Sequence, residues 1–197
     1  TREFHLYVAA RPSGGTSPQP VAVVVATSPA SIVLSPEASD LIDTPRVRFW
    51  LGGAVEWVRG GLASLFGRTA LEIEILCEAL AFGVGEGRGT LVAPRETLER
   101  TWRIVSKEIS RASRREVPAL VANWIANRNN CSFDEFRVAL TAAADRVGLA
   151  IAGDPTVAIH EVFGVRSDEE AAVDLVGYIE SDEHFSLRRR LGTAIDG

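Results

Sequence analysis

Methionine is missing from this chain altogether, position 1 included, and lysine occurs only once, at Lys107. The first absence leads us to expect a piece of a longer protein. The second makes the basic residues almost all arginine, the bias of a GC-rich genome. Cysteine is nearly absent too. Cys77 and Cys131 lie far apart without metal-ligand spacing, so two buried thiols in a cytoplasmic setting are expected, not a disulfide framework. The three histidines, His5, His160 and His184, share no metal-site spacing, and each reads as a surface or hydrogen-bonded residue. No run approaches the roughly 20 apolar residues of a membrane span, and the beginning lacks a signal-peptide pattern, so no membrane partner is expected.

Further absences exclude chemistry. No G-x-S-x-G elbow occurs, and neither cysteine has a histidine partner in its local pattern. The glycine-rich run 83–89 lacks the following Lys-Ser/Thr of a phosphate loop and reads as a flexible connection. Nor is there an internal repeat, in particular none of the helix-pair period of about 34 residues. A net charge of −5 disfavours nucleic acid, which selects a concentrated basic face. The basic clusters Arg111, Arg114, Arg115 and Arg188, Arg189, Arg190 carry no interleaved aromatic platform and read as solvated or ion-paired helix faces.

What is present is globular: 46% hydrophobic and 24% charged residues over a length of 197, enough for one ordinary domain or two very small ones. The first forty residues are strand-rich, with candidates at 5–10, 20–26 and 31–34. The connection 11–19 is rich in Pro, Ser and Gly and reads as a loop. From 45 to 66 the period becomes helical, with apolar residues at Val47, Trp50, Leu51, Ala54, Val55, Val58, Leu62 and Leu65. Capping boxes at Thr69…Glu72, Ser113…Glu116, Ser132…Glu135 and Ser167…Glu170 each predict a helix start, Pro118 weakening the second. Another helix is predicted over 97–111, with its stripe at Leu98, Trp102, Val105 and Ile109. The expected fold is a single α+β domain over 1–197, mainly helical over 45–192, with a small N-terminal sheet packed on the helical body.

Two segments carry a specific pattern. Phe49-Trp50-Leu51-Gly52-Gly53-Ala54-Val55-Glu56-Trp57 resembles the F-x-L-G-H-E-x-x-H helix of the M48-like gluzincin metallopeptidases, and residues 140–149 resemble that family's E-x-x-x-D-R-A-x-L helix. On that alignment Gly53 and Trp57 stand at the two histidine positions, Ala54 at the general-base glutamate and Thr141 at the third zinc ligand. Asp145 and Arg146 are kept. In the active family the aspartate hydrogen-bonds a zinc histidine; here the expectation is that Asp145 pairs with Arg146, another arginine or a helix-terminal amide. Asp154-Pro155-Thr156-Val157-Ala158-Ile159 and residues 176–192 extend the likeness, to about 30–192, toward domains at the C-terminus of large bacterial tetratricopeptide proteins.

A helical zinc site needs imidazoles at i and i+4 with a carboxylate between. Glycine, alanine and tryptophan supply none of these. The resemblance therefore implies a zincin-like fold without metal, cofactor or catalytic residue, acting as a scaffold for a protein partner or for other domains of the parent chain. Two glycines inside one helix each cost about 1 kcal/mol relative to alanine, which points to a tight helix crossing. An ordinary core helix with an accidental likeness is the bland alternative. Two other functions stay open: a structural capping or dimerisation domain, and an enzyme with a relocated site assembled from Glu56, Asp145, His160 and Glu161.

Overall fold

The computed structural model describes residues 3–10, 21–86, 91–111, 113–130 and 132–190. Cys131, the predicted loop 11–19, residues 87–89 of the glycine run and residues 191–192 lie outside them. The fold is α+β and mainly helical, with one small mixed sheet at the N-terminal end. The chain divides into two compact units, Thr1–Phe66 together with Val138–Gly197, and Gly67–Arg137.

In the first unit β1 (Phe4–Val8), β2 (Ala22–Val25) and β3 (Ala30–Leu34) form a sheet in the order β1-β3-β2. β1 runs parallel to β3 with Leu6 opposite Ile32, and β2 runs antiparallel with Val24 opposite Ile32. Period-2 alternation places Ala22, Val24, Ile32 and Leu34 in the core, whereas every residue of the edge strand β1 is exposed.

Ser35 caps α1 (Pro36–Asp40) through Ala38 N, and Thr44 caps α2 (Pro45–Arg59) through Val47 N. In both helices proline occupies the first turn, where a missing N–H costs nothing. The predicted helix 45–66 ends earlier, because Gly61 takes φ +74° and a single 3₁₀ turn, Ala63–Leu65, follows. Val47, Ala54, Trp57 and Val58 of α2 close one apolar cluster with the buried sheet face and Ala144.

The C-terminal part of this unit holds α6 (Phe133–Ala152) from Val138 onward, α7 (Pro155–Ile159), a π-helical stretch (His160–Val165), α8 (Glu169–Ile179) and α9 (Asp182–Arg190). Phe49, Leu149, Ala158, Val162, Leu175 and Tyr178 form a second apolar cluster there. The predicted cap at Ser167 is displaced by one residue. Ser167 itself sits at φ +56° on leaving the π stretch, and Asp168 Oδ1 takes the Ala171 amide at 3.0 Å.

The second unit contains α3 (Ala70–Val84), α4 (Arg95–Glu108), α5 (Ser113–Asn127) and a 3₁₀ turn at Arg128–Asn130. The Thr69–Glu72 capping box is formed in both directions. At Ser113 the predicted box gives way to Ser110, whose hydroxyl accepts the Ser113 amide at 3.1 Å. Ser132 Oγ accepts the Glu135 amide at 3.2 Å, as its box requires. Trp102 of α4 lies flat against Gly83 of α3, where a Cβ would come within 2.2 Å of the indole. Glu78 is fully buried, and its oxygens accept Val92 N at 2.9 Å, Ala93 N at 2.7 Å and the Arg128 guanidinium.

Candidate functional site

The helices bearing the two peptidase-like segments, α2 and α6, cross at small residues. A Cβ built on Gly52 would lie 3.0 Å from Gly148 Cα, and one on Gly53 would lie 3.3 Å from the Ala144 carbonyl oxygen. The reverse approach is tighter still: a Cβ on Gly148 would reach 2.5 Å from the Phe49 carbonyl. The glycines thus serve a helix-to-helix contact in which any larger side chain meets backbone.

Around that crossing the positions aligned with zinc chemistry are filled with packing. Trp57 is buried in the cluster that holds Ala54 and Ala144, and its ring meets Phe66 edge to face, with centroids 5.7 Å apart at 90°. Thr141, one turn before Asp145 on α6, is half-buried. No group of three or more His, Cys, Asp or Glu that could hold a metal ion occurs among the described residues.

Asp145 is buried, and its carboxylate forms a bidentate pair with Arg166, Nη1 to Oδ1 and Nη2 to Oδ2 both at 2.7 Å. Burial raises its pKa above the ordinary carboxylate value, with the Arg166 hydrogen bonds and charge opposing. The neighbouring Arg146 turns elsewhere, donating to both oxygens of Asp174 at 2.9 and 3.1 Å with its guanidinium 5.1 Å from the Tyr178 ring centroid. Of the partners expected for Asp145, the distant arginine is the one used.

A surface concavity of about 550 Å³ opens beside the π-helical stretch, lined by Arg46, Thr156, Val157, His160, Glu161 and Val165. Glu161 is its buried anchor: Oε1 accepts Arg46 Nε at 2.9 Å, and Oε2 accepts Trp50 Nε1 at 2.7 Å. Arg46 and Trp50 reach the same carboxylate because they lie four residues apart, one above the other on α2. The Arg166 guanidinium carbon sits 6.0 Å from the Trp50 ring centroid, so the Asp145 pair adjoins the Glu161 pair through one indole.

The four residues considered for a relocated site are not brought into one constellation. Glu56 is held by Arg59 through two hydrogen bonds of 2.6 Å, Asp145 by Arg166, and Glu161 by Arg46 and Trp50. Only His160 and Glu161 share a lining. Among the histidines, His5 is exposed and hydrogen-bonds Tyr7 Oη at 3.2 Å, and His160 is exposed. The expectation fails at His184, which is buried against Tyr178 with Nδ1 lacking any partner among the described residues. Burial, then the Arg188 charge, lowers its pKa.

Sequence reasoning missed Arg46 and Arg166 entirely. The available signal was a glutamate at 161 inside the stretch 157–165, apolar apart from it and His160, which demands a cation from elsewhere if it is buried. No membrane-length apolar helix occurs among the described residues. No family model, curated protein or solved structure matches the chain.

Proposed function

We propose that this chain is a non-catalytic interaction domain, built on a gluzincin-like helical body whose zinc site has been closed by packing. The observation that carries the reading is Trp57. At the position of the second zinc histidine it supplies a buried indole without a metal-binding lone pair, in the same cluster as Ala54 and Ala144. Gly53, at the first histidine position, has no side chain, and its backbone lies against the α6 backbone where a metal would need room. Asp145 supports the same reading, since its carboxylate is consumed by Arg166 instead of orienting a histidine. In this reading the partner is a protein segment or another domain of a parent chain. Among the described residues the outer edge of β1 has no strand beside it, and this reading uses that edge for strand addition.

A zinc-loaded assay on a fluorescence-quenched casein substrate tests the catalytic half of the reading. The expected result is hydrolysis no faster than the protein-free control, with or without added zinc. Hydrolysis that is stimulated by zinc and abolished by a chelator overturns it.

A further inference from the structure

The concavity beside the π-helical stretch has a donor arrangement independent of the zinc-ligand positions. Its floor is an ion pair built to aim one arginine. Glu161 has both oxygens engaged and a side chain only 2% exposed, so it is closed to any ligand. What it does is hold the Nε of Arg46, whose side chain is 55% exposed. The terminal nitrogens of Arg46 make no hydrogen bond or ion pair among the described residues, which leaves the end-on edge of the guanidinium as a two-pronged donor. Fixing that fork in advance lowers the ordering cost of capturing an oxyanion.

The rest of the lining comes from α7 and the π stretch that continues it. Thr156 and His160 lie one α-helical turn apart, and the His160 ring lies against Gly164 of the π stretch, where a Cβ would come within 3.0 Å of Nδ1. A hydroxyl, an imidazole and two valines, Val157 and Val165, line the same concavity as Arg46. Short π segments within helices are frequent at functional sites.

Charge balance selects the ligand. Arg46 and Glu161 cancel, so the site has no excess positive charge to offset the larger desolvation cost of a dianion such as phosphate. A monoanion with two coplanar oxygens matches the fork, and the two valines match an aliphatic group beside it. A volume of about 550 Å³ exceeds what a lone small acid fills and suits a few residues of chain. We propose that this concavity binds the free C-terminal carboxylate of a peptide ending in an aliphatic residue, with Arg46 holding the carboxylate, His160 assisting and Val157 and Val165 contacting the terminal side chain.

The test uses the full chain, isotope-labelled for backbone NMR, titrated with an N-acetylated alanyl-alanyl-valine. The C-terminal amide of the same peptide, acetate and inorganic phosphate are titrated in parallel. The expected result is saturable shifts across residues 156–165 for the free acid, weakened by about tenfold or more for the amide, because a site built to pair a charged group rejects its neutral analogue. Acetate and phosphate are expected to bind more weakly than the peptide acid. His160→Ala, at an exposed position, is expected to weaken the acid a few-fold, and Arg46→Lys to cost about tenfold by losing the fork. Equal binding of acid and amide, binding of acetate or phosphate as tight as that of the peptide, or no shifts up to about 10 mM peptide each overturns the proposal. The acid-amide comparison needs no variant, so misfolding cannot decide it.

Discussion

Replacing Gly148 by alanine puts a single methyl group where α6 touches α2. At most helix-interior positions this substitution stabilises by about 1 kcal/mol, because alanine loses less backbone entropy on folding. Here the new Cβ would lie 2.5 Å from the Phe49 carbonyl oxygen and 3.0 Å from Phe49 Cδ2. The carbonyl belongs to α2 and cannot rotate away, and Phe49 is itself fully buried, so the helices must separate. Overpacking of this kind costs about 1–3 kcal/mol, with a backbone obstacle placing it toward the upper end. After the intrinsic gain of alanine, the net loss is about 1–2 kcal/mol, which lowers the thermal midpoint of a chain this size by roughly 2–8 °C. Gly177→Ala is the matched control. It sits within α8 with nothing within 4 Å of a built Cβ, so it should gain about 0.5–1 kcal/mol. Urea unfolding, read by circular dichroism and by tryptophan fluorescence, measures both. Opposite signs are expected. A Gly148→Ala protein as stable as its parent refutes the close-crossing argument.

Four further predictions follow from buried or half-buried ionisable groups. Because burial raises the Asp145 pKa, the folded protein keeps that proton to higher pH than the unfolded chain. Its contribution to stability is complete below the unfolded carboxylate value and declines as pH rises through the folded one. A ¹³C titration of the Asp145 carboxyl should show a midpoint above the ordinary range, and a midpoint at or below that range contradicts the burial argument. Arg166→Ala, which strands this carboxylate, should cost about 3–5 kcal/mol in urea unfolding. Glu78→Ala should expose the Val92 and Ala93 amides to exchange and cost about 1–3 kcal/mol, with Arg128 keeping its pair with Glu74; unchanged amide protection would contradict it. The half-buried Cys77 thiol, pushed up to about 11 by burial and then by Glu74 and Glu78, should react with a disulfide reagent at about pH 8 at least about tenfold more slowly than in the unfolded chain. In a Cys131→Ser background, rapid reaction with the folded state would refute that.

Local rules carried the reading as far as they act. The Thr69–Glu72 box, the short strand ending at Leu34 and the helical stripe through Val47, Ala54 and Val58 all depend on neighbours close in sequence, and each is present. The glycine pair at 52 and 53 pointed to close packing because glycine has a known cost inside a helix. Errors arose where a nearby residue competed or where the partner was remote. Asp168 took the cap read at Ser167 because the π stretch before it forces Ser167 to positive φ, and an i→i+5 pattern has no simple apolar period. Arg46 and Glu161 are 115 residues apart and Asp145 and Arg166 are 21 apart, so no local spacing could pair them. The buried, unpartnered Nδ1 of His184 likewise depends on Tyr178 and Arg188 packing around it.

The most direct test of the proposal that a zinc site has been closed by packing is the metal content of gently purified protein, by elemental mass spectrometry, before and after incubation with zinc. With Trp57 packed in the core and Gly53 against the α6 backbone, the proposal predicts less than about a tenth of an equivalent, unchanged by added zinc. A stoichiometric, chelator-sensitive metal would contradict it.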